Sequence, residues 1–145
     1  DKRHWVLDVK ADEISDDVFA QIEQSTIPKE QIIIFGEHTV LEAYKGKGYR
    51  LGYTTLFSSH HSMLYSSSDV IRRCKDNSYD LLVVPVVFVT SHLVSSARTH
   101  GIDVWSYDSN DPRDLEYCAD LGVKGLIVDT PKDAMSQFSD WGDRR

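Results

Sequence analysis

Residues 100–133, HGIDVWSYDSNDPRDLEYCADLGVKGLIVDTPKD, constrain the fold more than any other stretch. They read as strand, helix, strand and helix start in close succession. Gly101 ends one helix and IDVWSY is a short β-rich run. Asp111 and Pro112 then open a helix as N-cap and first-turn residue. Gly122 closes that helix before VKGLIVD, and Thr130-Pro131 repeats the cap-then-proline start. Two βα units in one rhythm predict a parallel sheet, in a barrel or a doubly wound layer.

The same alternation runs upstream. Residues 4–10 read as a first strand, with Val6, Asp8 and Lys10 on one face and Trp5, Leu7 and Val9 on the other. Ile14, Val18, Phe19 and Ile22 recur at helical spacing over residues 14–27, and Pro28 stops that helix. Residues 31–35 form a continuous apolar run, as parallel strands do. A short helix follows over 39–44, ended by Gly46 and Gly48, then a third strand over 50–57. After the serine-rich SSHHSMLYSSS, residues 69–75 are helical behind a Ser cap. Residues 81–87 are the fourth strand, and residues 89–100 the fourth helix with Thr90 as N-cap.

Six consecutive βα units could make an open sheet. Such a sheet normally carries a glycine-rich phosphate loop after its first strand, whereas here KADEISDD follows and would repel phosphate. The better reading is α/β, a parallel β/α-barrel of the TIM type. A full barrel needs eight strands and typically about 250 residues; with 145 residues the barrel is incomplete, a single partial domain over residues 1–145.

Composition excludes several classes. A formal charge of −7 lacks the basic footprint of a nucleic-acid binder. The longest apolar run, LLVVPVVFV, falls short of the roughly 20 residues a membrane helix needs. Two cysteines, Cys74 and Cys118, fall in predicted helices and make neither a metal motif nor a disulfide framework, which favours a reducing compartment such as the cytoplasm. The start, DKRHWVLDVK, carries neither Met nor a secretory pattern. It suggests a processed product, an excised piece or a domain whose front is missing.

The C-terminal stretch resembles the end of glycerophosphodiester phosphodiesterases, whose last two barrel strands read roughly "AHxxGlxVxvWTVN" and "GVDGIITDxP". Here ARTHGIDVWSYDSN and LGVKGLIVDTP stand in those places. Upstream, QIIIFGEHTVL is similar to the family's "iiSFd…L" strand, LDVKAD to "lEiK", and RLGYTTLF to a strand of the "…tgLL" type. The resemblance implies the family's third to eighth strands.

It also implies what is absent. In that family an "HRG" after the first strand, an "ExD" after the second and a later "HD" supply the acid/base His pair, a phosphate-binding Arg and two metal carboxylates. None of these motifs occurs here, and no catalytic residue is assigned. Asp8 stands where the family has its third metal carboxylate, as Glu, and would offer a hard oxygen to Mg²⁺ or Ca²⁺. Lys10 stands where the family's Lys contacts phosphate. Trp105 stands where its Trp packs against the glycerol part of the substrate. Asp108 replaces the Asn of "WTVN", Val128 the Thr of "TD" and Ile34 the Ser of "SF".

Simpler readings accompany each residue. Asp8 and Lys10 could form a mutual ion pair, and Trp105 and Tyr107 could be core aromatics. His60 and His61 read as exposed imidazoles in a polar loop. His38 beside Glu37, and His100 before Gly101, suit helix-end polarity; DEISDD is the charged start of a helix. His4 and His92 have no partner spacing.

A complete enzyme of the resembled kind would hydrolyse a glycerophosphodiester to glycerol 3-phosphate and an alcohol. The isolated chain is expected to show little or no such activity. An incomplete barrel leaves unpaired edges and apolar surface. Either another chain or segment supplies the missing strands, or copies pair into a homo-oligomer, which suggests an inactive binding or scaffold module. A small α/β binding domain with superficial similarity is the third reading.

Overall fold

The computed structural model describes residues 4–10, 16–54 and 66–137. Strands and helices alternate: β1 (Trp5–Asp8), α1 (Asp16–Gln24), β2 (Ile32–Gly36), α2 (His38–Glu42), β3 (Arg50–Thr54), α3 (Ser67–Asp76), β4 (Leu81–Pro85), α4 (Ser91–Thr99), β5 (Asp103–Tyr107), α5 (Pro112–Leu121), β6 (Gly125–Leu126) and α6 (Pro131–Gln137). The chain forms two compact units, residues 1–56 and 57–145.

In the first unit β1, β2 and β3 pair in parallel. The register sets two rows. Gly36 turns toward Val40 of α2, whose side chain lies 3.0 Å from where a Cβ would stand. Its face therefore meets the helix and carries Leu7, Ile34 and Leu51. The opposite face carries Val6 beside Ile33 and Arg50, then Asp8 beside Phe35 and Gly52. β2 is buried at every position, which is why it reads as an unbroken apolar run rather than an alternating one. Outside the sheet, Phe19 of α1 meets Tyr44 at a ring separation of 5.7 Å, and Tyr44 meets Tyr49 edge-on at 6.0 Å. Glu23 ties α1 to this group, accepting from the Tyr49 hydroxyl at 2.6 Å and pairing with Lys29 at 2.7 Å.

In the second unit β4, β5 and β6 pair in parallel. Leu81, Val83 and Pro85 share a face with Asp103, Trp105, Tyr107 and Gly125; Leu82, Val84, Val104, Ser106 and Leu126 share the other. Ser106 is buried beside the Cys118 thiol of α5, so this second face is the helix-covered one. Three of its helices start on a side-chain cap: Ser66 accepts from the Asp69 amide, Thr90 from Leu93 and Asp111 from Arg113.

Among the described residues, three strand limits differ from the sequence expectation by two residues or more. The fourth strand, expected over 81–87, ends at Pro85 and passes into a single 3-10 turn, Val86–Phe88. The turn is closed by the Val89 amide on the Val86 carbonyl at 3.0 Å, and Val87 is thrown outward. The seven-residue VKGLIVD run forms a ladder only at Gly125–Leu126. Its bonds to β5 begin with Lys124 N–H to the Val104 carbonyl and end with Ile127 N–H to Ser106. β1 closes at Asp8 rather than residue 10, though the Val9 amide still reaches the Phe35 carbonyl at 2.9 Å. The expected end of the third strand (55–57), most of the serine-rich loop with His60 and His61, and the tail after Trp141 lie outside the described residues.

Candidate functional site

In parallel β/α folds the C-terminal ends of the strands carry the chemistry. In the first unit that end holds Asp8 and Lys10. Their side chains form an ion pair at 3.4 Å and are 52% and 80% exposed. The simpler reading of the pair is therefore what the structure contains, and its exposure leaves both groups open to a ligand. His38 opens α2 at the end of β2, with Nδ1 3.5 Å from Glu42 Oε1. Lys45 also pairs with Glu42 and holds that carboxyl below the usual range. Thr54 ends β3 on the face that carries Gly52; its hydroxyl is buried and has no partner among the described residues. Sequence reasoning passed over Thr54, although a hydroxyl closing an otherwise apolar strand was the available signal.

In the second unit the corresponding end is built by β5, β6 and their loops. Trp105 is half-buried on the face away from the helices, and its indole lies over Gly125. Asp108 follows β5 with φ of 74°. This left-handed conformation is costly for a residue with a side chain and is tolerated best by Asp or Asn, the two residue types that alternate here between this chain and the resembled motif. The next residues brace the loop. Ser109 donates to Asp114 at 2.7 Å and accepts from the Asp111 amide at 3.0 Å. Asn110 makes a two-point contact with the loop after β6: its Nδ2 donates to Asp129 Oδ2, and its Oδ1 accepts from the Asp129 amide, both at 2.9 Å. Asn110 and Asp129 were missed as partners because their 19-residue separation matches no local motif.

Other sequence candidates resolve into local roles. His100 places Nδ1 2.9 Å from the Ser96 carbonyl in the last turn of α4. His4 and His92 are exposed. Asp16 and Asp17, at the end of DEISDD, start α1. Burial pushes the Cys74 thiol up to about 12 and raises that of Cys118, against the Ser106 hydroxyl. Both sulfurs are buried and free, so neither is a nucleophile at neutral pH. Among the described residues no group of three His, Cys, Asp or Glu could hold a metal ion. One carboxylate, already paired with a lysine, does not make a divalent site; a metal does not fit the described residues alone, and no step is assigned to one.

The sequence profile of the glycerophosphoryl diester phosphodiesterase family matches residues 8–133. The chain belongs to that family. The family acts on small phosphodiesters and is generally metal-dependent. No curated protein sequence matches the chain significantly. Among solved structures it is similar to a proposed glycerophosphodiester phosphodiesterase from Galdieria sulphuraria, with a TM-score of 0.78 at 14% identity over 94% of this chain and 57% of that one. A glycerophosphodiester phosphodiesterase from Thermotoga maritima gives 0.66 at 19% identity, over 92% of this chain and 55% of that one. The fold is thus an incomplete β/α-barrel of the TIM type, and the chain spans just over half the length of these relatives. No helix among the described residues is long and apolar enough to cross a membrane.

Proposed function

We propose that this chain supplies the later strands of a barrel that hydrolyses a glycerophosphodiester to glycerol 3-phosphate and an alcohol. Water adds across one P–O bond, and the leaving alkoxide takes a proton. Lys10 neutralises phosphate as a point charge, Trp105 packs against the glycerol carbons, and Asp8 would offer one hard oxygen toward a Mg²⁺ or Ca²⁺ only if the remaining barrel strands supplied the other ligands. The observation that carries the reading is the family profile running from Asp8 to Asp133. The exposed Asp8–Lys10 pair at a strand's C-terminal end supports it.

The experiment is hydrolysis of glycerophosphocholine, with Mg²⁺ or Ca²⁺, by the chain alone and by the chain joined to the remaining barrel strands. The chain alone is expected to be inactive. In the completed barrel, Asp8→Ala and Lys10→Ala each lower kcat/KM by about 10²-fold or more. Activity in the lone chain, or indifference to both substitutions, would refute the assignment.

A second role is favoured by β1. It lies at the end of the strand order and exposes Trp5 (58%) and Val6 (42%). An outer strand with apolar side chains pairs readily with another strand, so the chain alone would associate through this edge as a homo-oligomeric scaffold. Light scattering decides this: a monomer at high concentration removes the scaffold reading.

A further inference from the structure

At the C-terminal end of the first unit's sheet, Glu37 breaks a local rule. It stands at the N-cap of α2, where Ser, Thr, Asp or Asn is preferred, and its side chain makes no cap bond. It is exposed, and among the described residues no hydrogen bond or ion pair reaches its carboxylate. A residue that ignores its local role without a structural return points to function. Its backbone is extended, with φ of −71° and ψ of 167°, so the alternation of β2 runs on and Glu37 leaves on the face of Phe35, away from α2. Gly36 pairs with Tyr53, which sets Glu37 beside Thr54. The Thr54 Oγ1 is buried and has no partner among the described residues, a state that folded proteins rarely leave unfilled. On the other side Asp8 pairs with Phe35, and the Val9 amide still reaches the Phe35 carbonyl, which sets Lys10 beside Glu37.

We propose that Glu37 and Thr54 form a subsite for a primary ammonium group, carried by the alcohol that is esterified to phosphate. The proposal deepens the phosphodiester reading and rests on it. A carboxylate only accepts hydrogen bonds, and a threonine hydroxyl accepts as well as donates. A primary ammonium donates to both and brings the charge that Glu37 lacks. Thr54 is part-exposed as a residue, so one turn about χ1 presents its hydroxyl to the mouth. Charge favours a cation: Lys10 is taken up by Asp8 and Lys45 by Glu42, and Glu37 is left over among the described residues. The dipole of the short α2 offsets at most about half of that charge. A divalent metal would need about six oxygens or more, and this pair offers too few. Reach fits a two-carbon amino alcohol. Lys10 and Glu37 lie on adjacent strands, roughly 4.8 Å apart, a span that –O–CH₂–CH₂–NH₃⁺ covers with its phosphate at Lys10 and its nitrogen at Glu37.

The test is a titration of the isotope-labelled 145-residue chain with ethanolamine, followed by amide chemical shifts. Choline is the cation without an N–H, and ethylene glycol the neutral diol. Ethanolamine should shift Glu37 and Thr54 with a Kd on the order of 10 mM, as suits so small a ligand. Choline and ethylene glycol should each bind about fivefold more weakly or worse. Glu37→Gln should reduce ethanolamine binding by a similar factor. Thr54→Val should remove the advantage of ethanolamine over choline without loss of stability, because its hydroxyl has no partner to lose. Absence of shifts up to about ten times the expected Kd, equal binding of choline or of the diol, or an unaffected Glu37→Gln variant would each overturn the subsite. The completed barrel separates this failure from that of the phosphodiester reading. Glycerophosphoethanolamine hydrolysed no faster than glycerophosphocholine sinks the subsite alone, whereas hydrolysis of neither sinks the reading on which it rests.

Discussion

The Trp105 indole occupies the space where residue 125 would carry a side chain: an ideal Cβ on Gly125 falls 2.3 Å from Trp105 Cδ2 and 2.5 Å from Cε2. The two residues are register partners on β5 and β6. The clash is with the ring body rather than a flexible tip, so the strand or the indole must move. Gly125→Ala is therefore expected to destabilise the chain by about 1–3 kcal/mol. The loss should shrink when Trp105 is also replaced by Ala, giving a coupling of at least about 1 kcal/mol in a double-mutant cycle. Urea unfolding measures all four species. An additive cycle would mean that the indole does not hold this position in solution.

Ser78 supports a second prediction. Three helices of the second unit end in the same turn. Tyr79 N–H bonds the Cys74 carbonyl and Ser78 N–H that of Lys75; Ile102 and Gly101 repeat this on Ala97 and Arg98; Val123 and Gly122 repeat it on Cys118 and Ala119. In each, a left-handed residue is followed by a buried apolar one that leads into the next strand. Glycine fills the left-handed position twice, but α3 uses Ser78, with φ of 56°. Ser78→Gly should stabilise the chain by about 0.5–1 kcal/mol, the αL penalty less the added backbone entropy. Gly101→Ala should cost about 1–2 kcal/mol. Denaturant midpoints report both signs; a destabilised Ser78→Gly would mean that the serine side chain contributes more than its backbone strain costs.

These turns also explain how much could be read from sequence. Gly101 and Gly122 announced their helix ends because glycine is the cheap left-handed residue. Ser78 gave no such signal. The order of strands and helices was legible because both faces of β2 and β4 are buried and read as apolar runs. The Asp8–Lys10 contact was legible because it is local. The Asn110–Asp129 contact was not, because it joins two loops that only the parallel pairing of β5 and β6 brings together. Thr54 was hidden for a related reason: burial of a single hydroxyl depends on what packs over it, which a strand pattern does not encode.

Asn110 and Asp129 define the third prediction. Their two hydrogen bonds tie the loop after β5 to the loop after β6. Asn110→Ala removes both and should cost about 0.5–1.5 kcal/mol for each bond lost, at the low end because the pair is exposed. Asn110→Asp should cost more than Ala, since it sets two carboxylates against each other and still cannot donate. Amide exchange at Asp129 is the sensitive readout: its protection should fall in both variants. Unchanged protection would show that the loops are held by something else.

The final prediction concerns acid. The Arg113 side chain, paired with Asp111 at 2.7 Å, and the Arg113 backbone N–H at 2.9 Å together hold the Asp111 carboxyl down at about 2. An unfolded Asp titrates near about 3.9. The folded value is the lower one, so the unfolded chain binds the proton first. The stabilisation is present above the unfolded pKa and is lost as pH falls from about 4 through about 2. Glu23, lowered by Lys29 and the Tyr49 hydroxyl, and Asp69, lowered chiefly by Ser66, act in the same direction. Asp111→Asn preserves the N-cap acceptor but removes the titrating charge. Its stability at pH 7 should fall slightly, and its loss between pH 4 and pH 2 should be shallower than that of the unaltered chain. Chemical denaturation midpoints across that range test the slope. Parallel curves for the two proteins would mean that Asp111 titrates no differently folded than unfolded and that its contacts with Arg113 do not hold the charge in solution.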